Sequence, residues 1–127
     1  MYTSYYQKVW TDGGVCTTAS GKLRKKRMYQ HPEAVQISRT TRVNVGRAYP
    51  DLYPARRLLN DYLDGTITDE QYTEEYNKQL AALDPQKVLA DLGEAAVLMC
   101  HEAKGKFCHR HLVAAWLRAA GVECEEL

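Results

Sequence analysis

Long apolar runs are missing from this sequence. No stretch approaches the roughly 20 apolar residues that a helix needs to cross a bilayer. The N-terminal segment MYTSYYQKVW has neither the charged nor the apolar region of a signal peptide. We therefore expect a cytoplasmic protein with no membrane partner. In a reducing cytoplasm the cysteines Cys16, Cys100, Cys108 and Cys124 are expected to be thiols.

The chain also has little net charge, with a formal value of +1. The charges are unevenly distributed, because residues 1–57 hold eleven Lys and Arg against three Asp and Glu, and residues 58–127 hold six against thirteen. This asymmetry is typical of a nucleic-acid surface, of two halves that attract each other, or of basic residues around an anionic small ligand. The basic run that a nucleic acid would contact consists of Lys22, Arg24, Lys25, Lys26 and Arg27. No aromatic residue is interleaved with this run, which disfavours the stacking of bases there.

Phenylalanine is nearly absent, with one Phe against nine Tyr. Tyrosine brings a phenol to apolar surface, which suits a stacking and hydrogen-bonding pocket, although edge strands use it too. Internal repeats and linkers are absent as well. The length of 127 residues and the apolar content of 45% therefore predict a single domain spanning residues 1–127.

What the sequence does contain is an alternation of strand and helix patterns. Strands are predicted at residues 2–9, 34–39, 95–100 and 122–126, and helices at 54–64, 69–83, 85–92 and 109–120. Asp12-Gly13-Gly14 is expected to break the first strand, and Pro54 to occupy the first helical position. Residues 13–31 are expected to form a basic loop or flap, and residues 40–50 a loop. The order predicts a single three-layer α/β domain with a short, mostly parallel sheet and helices on both faces.

Residues able to do chemistry crowd the last strand-loop-helix unit. Cys100 and Glu102 stand where a strand ends, and Cys108, His109 and Arg110 stand where the next helix begins. Ligands of open α/β sheets bind in the crevice beyond the carboxyl ends of the strands. The free amides and the dipole of a helix N-terminus favour an anion there, and an arginine adds a bidentate donor.

Four interpretations of this unit remain open. In the first, the helix N-terminus and Arg110 bind a phosphate or similar anion, while Glu102 takes a hydroxyl or acts as general base. In the second, Cys100 or Cys108 is a nucleophile activated by His109 and the helix end. The first interpretation predicts a protein that binds a small anionic ligand and that can also be an enzyme, and the second predicts an enzyme.

The third interpretation is a zinc or iron site formed by Cys100, Cys108 and one of His101, His109 or His111. The ligand types fit such a site, but the spacing matches none of the strong zinc signatures, and our leading expectation includes no metal. In the fourth, the unit is structural: Cys100 is a buried core thiol, Glu102 pairs with Arg110, and the histidines face solvent.

The segment VLMCHE-AKGKFCHRHLVAAWL resembles the C-terminal signature of the domain of unknown function 488 family, an apolar strand ending in Cys-x-Glu and a helix opening with Cys-His-Arg. MYTSYY, AVQIS and LYPARRLLNDYLDGTITDEQYTEEYNKQL resemble a small branch of that family. The likeness covers nearly the whole chain except about residues 10–33. It implies a Rossmann-like α/β domain and no particular activity. By position it implies these pocket residues: Thr3, Ser4, Tyr5, Cys100, Glu102, Cys108, His109 and Arg110. We add Arg39 to these pocket residues on geometric grounds, because it lies at the end of the second predicted strand.

Our leading expectation is a domain that binds a nucleotide-like or other phosphate-bearing small molecule. Glu102 as general base and Cys108 as nucleophile are the parts that hydrolysis or transfer would need. The alternatives are a non-catalytic protein that sequesters or senses such a ligand, a nucleic-acid-binding module, and a Cys/His metal site. The sequence names no cofactor and no oligomeric state.

Overall fold

The computed structural model describes residues 1–6, 10–29, 31–39, 47–101 and 107–127, with the backbone alone for 10–16 and 24–29. The strands in this part of the chain are β1 (Tyr2–Tyr5), β2 (Trp10–Thr17), β3 (Leu23–Tyr29), β4 (Ala34–Gln36), β5 (Arg47–Ala48), β6 (Val97–Cys100) and β7 (Glu125–Glu126). The helices are α1 (Arg56–Leu63), α2 (Asp69–Ala81), α3 (Pro85–Leu92) and α4 (His109–Ala119), with a 3-10 turn at Pro50–Leu52.

The main sheet has five strands in the order β5-β4-β6-β1-β7, and every pairing within it is parallel. Tyr5 lies opposite Cys100, and Gln36 lies opposite Met99, so the carboxyl ends of the three central strands meet at one edge. With four helices around this sheet, the chain has the predicted Rossmann-like, three-layer α/β architecture.

The connections leave the two neighbouring strands β4 and β6 in opposite directions. The chain runs from β4 to β5 at one border of the sheet, and from β6 to β7 at the other border. Such a reversal separates the loops that follow the two strands and opens a crevice beyond their carboxyl ends. The fold therefore places a crevice next to Cys100, the last residue of β6.

Two helix starts follow from local sequence. Thr68 accepts a hydrogen bond from the backbone N–H of Gln71, whose side chain accepts one from the backbone N–H of Thr68, which completes the predicted capping box. Asp84 accepts from the backbone N–H of Gln86, and Pro85 occupies the first helical position of α3. Both helices begin where the sequence predicts.

The core lies mainly on one face of the sheet. The larger of two clusters of buried side chains lies there. It is formed by strands and helices and includes Val35, Ile37, Leu98, Tyr76, Leu80, Val113 and Leu117. A smaller cluster contains Tyr6, Ala34, Val97 and Met99. Successive residues of β6 alternate between the two clusters, as the period of a strand requires. Because β6 is covered on both sides, its sequence is a continuous apolar run.

Within residues 13–31, where a basic loop or flap is expected, the described backbone is mostly part of a β-hairpin. β2 and β3 pair in antiparallel fashion as a separate two-stranded sheet. The expectation that Asp12-Gly13-Gly14 ends a strand is wrong, because the segment lies within β2, where the register shifts between Asp12 and Val15. A bulge of this kind absorbs an extra residue without ending the pairing, and glycine is the residue that most easily adopts it.

Other boundaries also differ from prediction. Three strands are shorter than expected, because β4 ends at Gln36, β6 begins at Val97 and β7 begins at Glu125. β1 ends at Tyr5, and residues 7–9 of the expected strand lie outside the described residues. Pro54 is not the first helical residue, because α1 begins at Arg56 with Ala55 as its N-cap. The expected loop at 40–50 includes β5, and its residues 40–46 are also outside the described part. No helix that the structure describes has both the length and the apolar character needed to cross a membrane.

Candidate functional site

A cavity of about 90 Å³ lies beyond the carboxyl ends of β4 and β6. Its polar lining comes from both strand ends and from the start of α4: Ser38, Arg39, Cys100, His101, Cys108 and His109. Its apolar lining comes from the segment before α1, from α1, from α2 and from the residue before Cys108: Pro54, Leu59, Tyr62, Leu63, Tyr72 and Phe107. The cavity is thus at the position that the strand order predicts.

The N-terminus of α4 opens onto this cavity. Cys108 is the N-cap and His109 is the first helical residue, as predicted, and both line the cavity. The side chain of Cys108 makes no capping hydrogen bond to the amides of the first turn. The helix closes at Gly121, whose φ of 83° lies in the left-handed region that glycine adopts without a steric penalty.

Cys100 and Cys108 are joined as a disulfide, and both are buried. The expectation that these cysteines are thiols thus differs from the structure, which brings the end of β6 and the cap of α4 into covalent contact. Cys124 is free and buried in the core, as predicted, whereas the side chain of Cys16 lies outside the described part.

His109 is buried between Ile37 and Cys108. Its Nε2 lies 2.8 Å from the carbonyl oxygen of Ile37, and its Nδ1 lies 3.7 Å from the Sγ of Cys108. Because a carbonyl can only accept, Nε2 carries the hydrogen and the neutral ring has its lone pair on Nδ1. Burial lowers the pKa of His109 to about 4, although the hydrogen bond to Ile37 opposes this shift and the charge of Arg110 adds to it. The ring is therefore neutral at physiological pH.

Arg110 is fully buried and is not among the described residues that line the cavity. Its Nε donates to Oε1 of Glu126 at 2.5 Å, and its Nη1 donates to the Sγ of Cys100 at 3.1 Å. Its Cζ lies 5.5 Å from the ring centroid of Tyr5, within the range of a cation–π contact. The structure therefore places Arg110 behind Cys100.

Glu126 is the carboxylate partner of Arg110 that the sequence does not reveal. Burial would raise its pKa, but the hydrogen bond and the charge of Arg110 outweigh burial and hold the pKa below its ordinary value. Thr3 also donates to Glu126, with Oγ1 and Oε1 at 3.4 Å. The predicted carboxylate partner, Glu102, lies outside the described residues. In the sequence, Glu126 is visible only as an acidic residue in the short final strand. The strand order is needed to show that it lies next to Arg110.

The three predicted residues of β1 do not converge on the cavity. Thr3 contacts Glu126, and Tyr5 packs on Arg110, so both support the arginine and do not line the cavity. Ser4 is fully buried, and among the described residues its Oγ has no hydrogen-bond partner. The register of a strand places Ser4 on the face opposite to Thr3 and Tyr5.

Arg39 does reach the predicted crevice. It lines the cavity, and its Nε donates to the carbonyl oxygen of Pro54 at 2.7 Å. Beside it, the hydroxyls of Ser38 and Tyr6 are 2.5 Å apart. The ring of Tyr6 also meets His101 edge-on, with centroids 4.8 Å apart. Neither Tyr6 nor Ser38 is predicted from the sequence to belong to the site.

The basic run lies on the β2–β3 hairpin. Lys22 is exposed just before β3, and Arg24, Lys25, Lys26 and Arg27 belong to that strand. The side chains of the last four lie outside the described part of the chain. The prediction of a nucleic-acid contact there therefore stays a prediction.

Comparison with known proteins gives one match. No curated protein and no solved structure matches the chain significantly. The family model DUF488-N3a, described as "Active DUF488-N3 subclade", matches residues 16–121, which include the disulfide, His109 and Arg110. Because this match covers more than half of the sequence, the chain belongs to the DUF488 family.

Proposed function

We propose that this domain binds a phosphate-bearing small molecule, such as a nucleotide, with the anionic group in the cavity between β4 and β6. The observation that carries the proposal is the meeting of the α4 N-terminus with Arg39 in one crevice. Helix amides and the helix dipole attract an anion, and an arginine supplies a fork of donors for phosphate.

The charges around the cavity support an anionic ligand. Among the described residues that line it there is an arginine but no Asp or Glu. Arg39 uses Nε to hold the carbonyl of Pro54, and this contact fixes the direction of its guanidinium. A ligand phosphate would thus meet a charge that is already oriented, which reduces the entropy lost on binding.

The size of the cavity limits what it can enclose. Its volume of about 90 Å³ is well below the roughly 300–1,000 Å³ of sites that enclose a drug-sized ligand. It therefore suits the phosphate end of a nucleotide, with the remainder outside. Three aromatic side chains, Tyr62, Tyr72 and Phe107, pack together along its wall with ring centroids 5.0 to 5.4 Å apart. Tyr72 is buried, but the half-buried rings of Tyr62 and Phe107 offer apolar surface against which the rest of such a ligand can stack.

The thiols of Cys100 and Cys108 are the reactive groups in the proposed reaction. In the reduced protein, Cys108 would stand at the helix N-terminus and Cys100 beside the guanidinium of Arg110. Both settings favour a thiolate, which is the nucleophilic form of cysteine. The word "Active" in the family description agrees with an enzyme. The proposed reaction is therefore hydrolysis or transfer of part of the bound molecule.

The test measures binding of adenosine monophosphate and of inorganic phosphate to the reduced protein by calorimetry. Arg39→Ala should weaken binding by about tenfold or more, because a charge-assisted contact to phosphate is lost. Arg56→Ala is the matched control, since Arg56 is an exposed arginine of α1 that does not line the cavity. Equal affinity of wild type and Arg39→Ala would contradict the proposal.

Turnover is tested separately. Mass spectrometry of adenosine monophosphate after incubation with the reduced protein should show a cleaved or transferred product, and Cys108→Ser should abolish that product. Recovery of intact nucleotide from a protein that binds it would instead support a protein that sequesters or senses its ligand.

A further inference from the structure

Three side chains with metal-ligand chemistry converge at the wall of the cavity. The Sγ atoms of Cys100 and Cys108 and a ring nitrogen of His109 all lie within 4.8 Å of one another, and all three residues are buried. Thiolate and imidazole are the ligands of zinc sites. The three groups come from the end of β6, the cap of α4 and its first turn, so the fold itself assembles the cluster.

The orientation of His109 is that of a metal ligand. Its Nε2–H is held by the carbonyl of Ile37 at 2.8 Å, and this fixes both the tautomer and the plane of the ring. Nδ1, which carries the lone pair, is the nitrogen on the side of Cys108, 3.7 Å from Sγ. Ligating histidines in proteins commonly donate their other N–H to a backbone carbonyl or a carboxylate in this way.

The backbone spacing of the two cysteines also suits a shared ion. Their Cα atoms are 7.5 Å apart, whereas ordinary disulfides have Cα atoms about 4.4–6.8 Å apart. With Zn–S bonds of about 2.3 Å, two sulfurs in a tetrahedral site lie about 3.7 Å from each other. Ligation of one ion thus accommodates a wider separation than a disulfide does.

The surrounding charges agree with a divalent cation. Arg110 donates to the Sγ of Cys100, but its positive charge is paired with Glu126. The two buried thiolates would then carry an unbalanced charge of about −2, which is costly away from water. A divalent ion would neutralise them, and the N–H of Arg110 would remain a hydrogen-bond donor to one ligating sulfur.

We propose that the reduced protein binds one zinc ion through Cys100, Cys108 and His109. These residues all line the cavity, so the fourth position of the ion is open to it, as in zinc sites that keep a place for water or substrate. The disulfide, the zinc site and the free thiols of the proposed reaction are three alternative states of the same two sulfurs, and a sulfur that binds zinc is a ligand and not the free nucleophile. This inference stands apart from the proposed phosphate ligand, because it requires the metal alone.

The experiment starts from protein reduced with a water-soluble phosphine under argon. The phosphine breaks the S–S bond, water supplies two protons to the sulfurs and the oxygen of the phosphine oxide, and no thiol reagent remains to compete for metal. Zinc is then titrated against a chromophoric chelator, and cobalt is added to a parallel sample. We expect one ion per chain, and a cobalt spectrum with sulfur-to-metal charge-transfer bands.

Variants decide which residues hold the ion. Cys108→Ser and His109→Gln should each weaken zinc binding by more than about tenfold, and Cys108→Ser keeps the fold because serine is a favourable N-cap. Cys16→Ser and Cys124→Ala are the matched controls, since they remove the other two cysteines and should bind zinc like wild type.

The oxidised wild-type protein provides a further comparison without mutation. It should bind no zinc, because both sulfurs are occupied by the disulfide. Reduced wild type that binds no ion, or Cys108→Ser that binds as tightly as wild type, would overturn the proposal.

Discussion

Nη1 of Arg110 lies 3.1 Å from the Sγ of Cys100, and both side chains are buried at the carboxyl end of β6. The same guanidinium donates through Nε to Glu126 on β7, two strands away in the sheet. One arginine from α4 therefore connects Cys100 to the C-terminal strand. These two contacts hold the guanidinium of Arg110 between Cys100 and Glu126.

Replacing Arg110 by methionine should destabilise the protein. The change leaves Glu126, whose side chain is 21% exposed, without its charge partner. We expect a loss of about 2–4 kcal/mol, somewhat below the cost of breaking a fully buried pair because water can reach the carboxylate. Urea unfolding measures the free energy. The double variant Arg110→Met/Glu126→Leu should recover part of it, and a single variant as stable as wild type would contradict this account.

Glu126 predicts a pH dependence of stability. Its pKa is lower in the folded protein than the ordinary value of 4.5, so the unfolded chain binds the proton more readily. The contribution of Glu126 is therefore complete above the ordinary value and is lost as the pH falls through the folded pKa. Urea unfolding between about pH 7 and pH 3 should show a smaller loss of stability for Glu126→Gln than for wild type. Parallel curves for the two proteins would refute it.

Tyr76 links α2 to the turn before α1. Its hydroxyl donates to the carbonyl of Leu52 at 2.6 Å, and both residues are fully buried. Tyr76→Phe removes the donor and leaves the carbonyl unsatisfied, so the free energy of unfolding should fall by about 1–2 kcal/mol. Tyr2→Phe, at an exposed tyrosine, should change it by less than about 0.5 kcal/mol. Equal effects of the two substitutions in denaturant unfolding would argue against this bond.

Helices were predictable from this sequence because their ends are local. Thr68 and Gln71 form a capping box within four residues, and Gly121 stops α4 by its backbone conformation. The β2–β3 hairpin was missed because strands that contain Asp-Gly-Gly and Leu-Arg-Lys-Lys-Arg are stabilised by their mutual pairing, which composition does not reveal. The two-residue strand β5 was missed for the same reason.

The candidate site was partly predictable. Cys108, His109 and Arg110 begin α4, and Cys100 ends β6, because apolar periodicity fixes both elements. The role of Glu126 depends on β7 lying beside β1, a relationship set by the order of strands across the whole sheet. No spacing along the chain encodes that order.

The most direct test of the proposed site is to map ligand contacts by amide NMR shifts in the reduced protein during titration with adenosine monophosphate. The account predicts that the largest changes occur at Arg39, Cys108 and His109, the residues that bring the β4 end and the α4 N-terminus to the cavity. Saturating changes confined to the β2–β3 hairpin, or none at any concentration tested, would contradict it.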